Sequence, residues 1–200
     1  MGMLRGNLAT YATDVKPIFN SKIGYSIGVG SNYFFNEKFS LGARVLYQRT
    51  TVLGDFPFAW TSADGDYVGN LELTTSFDYI SLPIMARYTL GNKIKFNGEL
   101  GGFVNYLLNS SVSNYIEYNS QTQTFAEASG QYTKFDAGLS LGLSSQVPLG
   151  EKISVKLSVY DNYGLVNIST LQHPSNPIRS EHYLKSNTVN LLAGIVYQIQ

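Results

Sequence analysis

Cysteine is absent from the 200-residue sequence, and charged residues are few. Without cysteine, neither a disulfide framework nor a thiolate metal site can form. Charged residues make up 14% of the chain, whereas soluble domains average roughly a quarter, so something other than a charged surface keeps the protein from aggregating. The formal net charge is zero, which provides no basic surface, and we predict no nucleic-acid partner.

Long apolar runs are missing as well. No run of about eighteen apolar residues exists, which excludes a membrane-spanning helix. A spanning strand needs only about 9 to 11 residues and leaves an alternating signal, so a membrane protein remains open. The opening "MGMLRGN" lacks the basic, apolar and small-residue order of a secretion signal, and we take it as the start of a mature chain. The length suits one β domain over residues 1–200.

Alternating apolar and small residues are what the sequence does contain. In residues 22–35, "KIGYSIGVGSNYFF", every second residue is mostly large and apolar, and the others are mostly Gly, Ser or Asn. An alternation of period two predicts a β-strand, and the 15 Tyr and 11 Phe favour strands too. The same pattern recurs at residues 39–48, 79–90, 94–108, 135–147, 153–160 and 188–199, with a shorter strand at 2–10. We therefore predict eight strands.

Short and long connections alternate between these strands. The short ones, "NEK" at 36–38, "GNK" at 91–93 and "GEK" at 150–152, have the residues of tight hairpins. The long polar connections are predicted at residues 11–21, 53–76, 110–131 and 167–185. This layout is typical of outer-membrane barrels with short periplasmic turns and long extracellular loops. We predict a closed, eight-stranded antiparallel transmembrane β-barrel, porin-like in architecture, that crosses a Gram-negative outer membrane with both termini periplasmic.

Charged residues of the predicted strands fall on the polar faces. An Arg or Lys that points into lipid costs about 2 to 4 kcal/mol at the bilayer midplane, so we place the apolar faces in outer-membrane lipid and the polar faces in the lumen. Side chains fill the interior of a barrel of about eight strands. We therefore predict a structural charge network in the lumen, formed by Arg44, Arg87, Lys95, Glu99, Asp136 and Lys156.

The polar faces are rich in Gly, Ser and Asn, whereas a water-facing strand is rich in Lys, Glu and Thr. We expect Gly28 and Gly30 to leave room for long lumen side chains such as Arg44 and Arg87. This orientation makes a direct prediction about the opposite face. The side chains that should be exposed on the outside of the barrel include Ile27, Leu82, Leu141 and Leu191.

Two long stretches resemble a known family. These are "FDYISLPIMARYTLGNKIKFNGELGGFVNYLL", residues 77–108, and "FDAGLSLGLSSQVPLGEKISVKLSVYDNYGLVNI", residues 135–168. They resemble the outer-membrane β-barrel domain of Bacteroidetes, typified by PorT-like proteins. The resemblance implies a role in the cell envelope, with envelope or secretion-complex proteins as partners. Pro83 is shared with that family, and we expect a local bulge there because proline cannot donate to the ladder.

The C-terminal strand is similar to the signal that barrel-assembly machinery recognises, which implies that machinery as a partner. A glycine is followed three residues later by an aromatic residue and two further by an apolar one. The matching positions are Gly194, Tyr197 and Ile199.

Two other classes of protein remain open from the sequence. A soluble, lipocalin-like barrel would bind an apolar ligand with its apolar face inward. An outer-membrane lipid hydrolase would use His182 with Ser175 or Ser180. His173, His182 and Glu181 have the right chemistry for a metal but lack a spaced cluster. We predict no catalytic residue, no metal and no cofactor, and therefore not an enzyme.

Overall fold

The computed structural model describes residues 2–7, 18–21, 23–62, 65–118, 121–126, 132–168 and 183–199. Across these ranges no helix is long and apolar enough to cross a membrane. The strands form one antiparallel sheet. They are β1 (Gly2–Asn7), β2 (Ile18–Ser21), β3 (Tyr25–Phe34), β4 (Phe39–Ser62), β5 (Gly65–Leu90), β6 (Lys95–Tyr118), β7 (Gln121–Ala126), β8 (Phe135–Pro148), β9 (Ile153–Gly164) and β10 (Tyr183–Tyr197).

The ten segments occupy eight positions, in the order β1-β10-β9-β8-β6-β5-β4-β2. β3 also pairs with β4, and β7 also pairs with β6, so β2 with β3 and β7 with β8 each act as one interrupted strand. Between Ser21↔Val52 and Tyr25↔Arg49 the register shifts by one residue, which marks a bulge. The predicted all-β, antiparallel outer-membrane barrel fold is confirmed.

Tight turns lie where the sequence predicts them, after β3, β5 and β8. In the first turn the Asn36 side chain accepts hydrogen bonds from the backbone N–H groups of Lys38 (2.9 Å) and Phe39 (2.8 Å), the usual way in which Asn stabilises a turn. In the second, Gly91 has a φ of 91°, a left-handed conformation that favours glycine. These local interactions explain why the three hairpins could be predicted.

Most of the predicted long connections contain more strand than expected. The ladder between β4 and β5 continues through residues 53–76 to Ser62↔Gly65. β6 extends through residue 118 and β7 follows it, so strands occupy much of residues 110–131. β2 lies within the predicted connection 11–21, and the start of β10 lies within the predicted connection 167–185. The prediction that these residues form loops was wrong because it recognised a strand only where one face is apolar enough to contact lipid. The part of a sheet that extends beyond the bilayer does not need an apolar face.

The apolar face of the barrel points outward, as predicted. Exposure is 72% for Ile27, 43% for Leu82, 62% for Leu141 and 70% for Leu191. Buried positions on the opposite face are largely polar and include Ser81, Asn97, Ser140 and Ser158. This arrangement contradicts the lipocalin-like alternative, in which the apolar face would line the interior.

Pro83 does not form the predicted bulge. The β4–β5 ladder pairs Ala43 with Ile84 and Leu46 with Ser81 in the same register, and the bridges between those two pairs are missing. On its other side Pro83 still pairs with Phe103 of β6. The missing N–H therefore removes local ladder bonds to β4 without shifting the strand. The irregularity between β5 and β6 lies elsewhere, at Asp78 and Tyr79.

The sheet curls into a barrel but is open along one side. β1 pairs with residues 183–188 of β10. Within the described ranges, residues 190–197 of β10 have a ladder to β9 alone, and β3 has one to β4 alone. Among the described residues no ladder joins β3 to β10. The predicted closed ladder is not formed there, because β1 covers only one half of β10.

Candidate functional site: the filled lumen

Glu99 lies at the centre of a buried charge network inside the barrel. Its Oε1 atom accepts a hydrogen bond from Lys156 Nζ at 2.6 Å and lies 3.2 Å from Arg87 Nε. Ser144 Oγ donates to the same oxygen at 2.9 Å, and Tyr160 OH donates to Oε2 at 2.9 Å. The carboxylate is thus paired with two cations and two hydroxyl donors, which compensates its burial.

Glycine residues make room for the long side chains around Glu99. The Arg44 guanidinium lies 4.0 Å from the centre of the Tyr160 ring, a cation–π contact. A Cβ atom on Gly142 would collide with that ring, and one on Gly30 would lie 2.5 Å from Arg44 Cγ. Small residues on some strands therefore let large side chains from others cross the lumen.

A chain of polar side chains continues from this network toward the tight-turn end. Thr89 Oγ1 donates to Asn97 Oδ1 at 2.8 Å, and Asn97 Nδ2 donates to Ser144 Oγ at 3.0 Å. All three side chains are buried. Their hydrogen bonds join β5, β6 and β8 and fill the lumen with paired polar groups.

Asp136 lies in a second buried cluster, on the other side of the network. Its Oδ2 atom accepts hydrogen bonds from Ser186 Oγ at 2.6 Å and Asn105 Nδ2 at 3.2 Å. Beside it, Ser140 Oγ donates to Asn162 Oδ1 at 2.6 Å. These contacts link β6, β8, β9 and β10 through polar side chains.

A cluster of apolar residues, which we call the apolar cap, lies toward the long hairpins. Its buried core consists of Val52, Phe77, Tyr79, Leu107 and Ile168, with Tyr132 packed against it. The Phe77 and Tyr132 rings make an edge contact at 4.7 Å. The backbone N–H of Thr133 donates to the carbonyl of Ile168 at 2.9 Å, which holds two loop segments together.

The apolar cap was not predicted from the sequence. Phe77 and Tyr79 lie at alternate positions on the lumen side of β5. Two aromatic residues on a face that is otherwise polar could have predicted an apolar cluster inside the barrel. Tyr132 and Ile168, by contrast, belong to segments outside the predicted strands, and only the folded chain brings them over the lumen.

The predicted lumen residues fall into three groups. Arg87, Glu99 and Lys156 are in direct contact, and Arg44 joins them through Tyr160. Asp136 is in the separate cluster. The prediction that Lys95 belongs to the lumen network was wrong. Lys95 is exposed at the first residue of β6 and makes no ion pair with any described residue.

The remaining predicted positions lie at the chain's C-terminal end. Tyr197 ends β10, and residues Gly194, Tyr197 and Ile199 are exposed. The hydrolase candidates lie outside the described residues, as do the metal candidates. These are His173, Ser175, Ser180, Glu181 and His182. Within the described ranges no group of three or more acidic or His side chains could hold a metal ion.

Aromatic side chains lie at both ends of the apolar outer face. Near the first turn Phe39 and Tyr88 pack at 4.9 Å. At the other end Tyr47 donates a hydrogen bond to Asp78 Oδ1 at 2.9 Å, and Arg49 Nε lies 3.7 Å from the same oxygen. The stretch of β4 from Phe39 to Tyr47 has nine residues. A tilted strand needs about 9 to 11 residues to cross the apolar band between two aromatic girdles.

An antiparallel curled sheet with an apolar exterior, aromatic ends and a filled polar interior defines an integral β-barrel membrane protein. The chain belongs to the family described as "Outer membrane protein beta-barrel domain", whose model matches residues 2–170. It is therefore an integral protein of the bacterial outer membrane.

One solved structure similar to this chain is the crystal structure of Ail, the attachment invasion locus protein of Yersinia pestis. The sequence identity is 13% and the TM-score 0.37, over 98% of this chain and 91% of that chain. No curated protein matches the sequence. The family match therefore carries the assignment.

Proposed function

We propose that the protein is a plugged, non-conducting and non-enzymatic barrel that acts through its projecting hairpins, as a surface-binding element or as an accessory of a secretion or envelope-assembly complex. The observation that carries this proposal is the filled lumen. The network around Glu99 and the cap around Phe77 place side chains across the interior at two successive levels. We infer that this filling leaves no aqueous path, so the work of the protein lies outside the lumen.

The projecting hairpins supply the surface for that work. The β4–β5 ladder continues from Arg49↔Asp78 at the outer girdle to Ser62↔Gly65, which is about 40 Å of paired strand. On one edge β6 pairs with this hairpin as far as Asn70↔Glu117. On its other edge, residues 113–118 of β6 pair with β7. A paired sheet of this size holds its surface in a fixed shape, as a binding site requires.

The two unlike ends of the barrel support one orientation in the membrane. Tight turns and the end of β10 share one end, where the backbone N–H of Gln198 donates to Lys152 O at 2.9 Å. Short turns and termini face the periplasm in outer-membrane barrels, and long segments face outward. We therefore infer that the hairpins are extracellular and the termini periplasmic.

Three kinds of partner follow from this proposal. The apolar exterior contacts outer-membrane lipid. Gly194, Tyr197 and Ile199 engage the barrel-assembly machinery, consistent with their exposure. The resemblance of residues 77–108 to PorT-like proteins favours an envelope or secretion-complex protein over an unrelated ligand.

A hairpin deletion tests the proposal. Asp55 and Glu72 are directly paired, so residues 56–71 can be replaced by an Asn-Gly turn without disturbing the barrel. In a strain that lacks the protein, the full chain should restore envelope integrity and secretion of outer-membrane cargo, and the shortened chain should not. Both should insert in the outer membrane and show heat-modifiable migration on gels.

Two further measurements address the rival functions. The full chain should show no ion steps in planar bilayers, and purified protein should leave lipid profiles intact. Restoration by the shortened chain, channel currents or lipid cleavage would each refute the proposal.

A further inference from the structure

Three buried oxygen atoms inside the barrel have no hydrogen-bond partner, and they belong to one row of the sheet. Ser81 of β5 pairs with Asn105 of β6, which in turn pairs with Asp136 of β8. All three side chains are buried. The unpartnered atoms are Ser81 Oγ, Asn105 Oδ1 and Asp136 Oδ1. We call these three residues the oxygen row.

The oxygen row carries a negative charge that no described side chain neutralises. By comparison, Glu99 is paired with Lys156 and Arg87. Asp136 has neutral partners, since Ser186 and Asn105 donate to its Oδ2 atom. No Arg or Lys of the described ranges forms an ion pair with it. A buried charge is normally paired or coordinates a metal ion, because burial of an isolated charge is very costly.

The atoms of the oxygen row cannot satisfy one another. The amide group of Asn105 is oriented by the hydrogen bond from its Nδ2 atom to Asp136, which leaves its oxygen as an acceptor. Carboxylate and amide oxygens only accept hydrogen bonds, and the hydroxyl group of Ser81 has one hydrogen to donate. A water molecule donates to two acceptors at most and brings no charge. A cation binds several oxygens at once and supplies the missing positive charge.

Apolar side chains lie on both sides of the oxygen row. Two residues along the strands toward the hairpins, Tyr79 pairs with Leu107, and both belong to the apolar cap. In the other direction the buried Phe103 lies on β6 between Asn105 and Glu99. The oxygen row is therefore separated along β6 from the cations around Glu99. Electrostatic attraction is strong in surroundings of this kind, because the local dielectric constant is low.

We propose that the oxygen row binds a small monovalent metal ion, Na⁺ or K⁺, through Asp136 Oδ1, Asn105 Oδ1 and Ser81 Oγ. Hard cations take oxygen ligands from carboxylates and amide carbonyls. The row has a single carboxylate, so one positive charge neutralises it, whereas a divalent ion would leave a surplus charge. Side chains directly opposite on antiparallel strands have Cβ atoms about 4.5 to 5.5 Å apart, so one ion can contact oxygens from neighbouring strands.

The bound ion adds a link between β5, β6 and β8 at the level between the charge network and the apolar cap. Two of its three ligands are neutral, so a sequence pattern of acidic residues and His does not reveal the site. The ion stays inside the folded barrel as a structural component. This proposal does not depend on what the projecting hairpins bind.

Equilibrium unfolding of the full chain tests the site without any substitution. The protein is unfolded by urea in zwitterionic lipid vesicles at constant ionic strength, with Na⁺ or K⁺ replacing choline, which is too large for the site. A ligand that binds only the folded chain stabilises it by mass action. Each tenfold rise of the preferred ion above its dissociation constant should therefore lower the unfolding equilibrium constant about tenfold.

Three variants locate the response. Asp136→Asn keeps the shape of the side chain, removes the charge and should abolish the response to the ion. Ser81→Ala removes one neutral ligand and should shift the response to higher ion concentration. Ser40→Ala is the matched control, because Ser40 Oγ is also buried without a partner but lies outside the oxygen row, opposite Arg87. It should keep the full response.

Two results would overturn the proposal. One is equal stability in Na⁺, K⁺ and choline, which would mean that the oxygen row holds a water molecule or a proton instead of a metal ion. The other is an unchanged response in Asp136→Asn, which would place the bound ion elsewhere. The first result needs no variant, so it decides the matter even where a variant fails to fold. Neither result bears on the hairpin deletion, so the cation site and the proposed function fail separately.

Discussion

At the scale of single residues, the carboxylate of Glu99 is the centre of the charge network in the lumen. Glu99 contacts Lys156 and Arg87 directly, and Tyr160 connects it to Arg44. Three cations are thus arranged around a single anion. Removal of one partner from a buried ion pair leaves an uncompensated charge, which is much more costly than the pair itself.

Glu99→Gln should therefore destabilise the barrel strongly. We expect a loss of about 3 to 5 kcal/mol of unfolding free energy, since Lys156 and Arg87 lose their counter-charge. Urea unfolding in lipid vesicles, followed by circular dichroism, measures the loss. Glu151→Gln, at an exposed turn residue, is the matched control and should be nearly neutral. A loss below about 1 kcal/mol for Glu99→Gln would contradict this role.

Gly142→Ala tests the space that glycine leaves for Tyr160. The added methyl group would collide with the ring of Tyr160, whose hydroxyl group donates a hydrogen bond to Glu99. Overpacking of this kind costs about 1 to 3 kcal/mol. At Gly98 nothing lies within 4 Å of an added Cβ, so Gly98→Ala should change stability by less than about 0.5 kcal/mol. The same urea titration compares the two, and equal effects would rule out the steric explanation.

At the scale of elements, each strand changes character along its length. Within the bilayer, β5 places Leu82 and Ile84 outward and polar groups such as Ser81 and Arg87 inward. Nearer the hairpin end of the same strand, Phe77 is buried on the lumen side, and Asp78 meets Tyr47 on the outer side. The solvent outside the strand changes from lipid to water, and the preferred face for apolar groups changes with it.

Arginine substitutions on the outer face of β8 should show this depth dependence. Leu141→Arg, in the middle of the strand, should cost about 2 to 4 kcal/mol, and Val147→Arg, next to the terminal Pro148, about 0 to 1 kcal/mol. Leu141 and Val147 are both exposed, so burial in protein does not explain the difference. Vesicle unfolding measures both variants. Equal costs for the two variants would mean that the boundaries of the membrane do not lie at the aromatic girdles.

At the scale of the whole molecule, the described side chains inside the barrel form two layers of different chemistry. The lower layer is the ion-paired network, and the upper layer is the apolar cap. The layers use different side chains from the same strands. One layer can therefore be weakened while the other stays in place.

Phe77→Ala should destabilise the cap without opening a channel. Loss of a buried phenylalanine costs about 3 to 5 kcal/mol, and the network around Glu99 still blocks the lumen. Urea unfolding should show the loss, and planar bilayer recordings should remain silent. Leu139→Ala on the lipid-facing side of β8 is the control, with a smaller loss and the same silence. Ion steps in Phe77→Ala would mean that the network does not seal the barrel.

The sequence by itself determined which face of each strand meets lipid. Side chains alternate along any strand, so the outward positions of Ile27 and Leu141 depend only on local geometry and on the composition of the two faces. The three tight turns are local in the same sense, because Asn36 bonds within its own turn.

The tertiary structure alone decided which side chains meet across the barrel. Glu99 and Lys156 are 57 residues apart in the chain, and their contact depends on the register of β6, β8 and β9 and on the curl of the sheet. The same holds for Tyr132 over Phe77 and for the separate position of Asp136. Period-two alternation fixes a direction for each side chain but no partner, because pairing depends on distances between strands that the alternation does not encode.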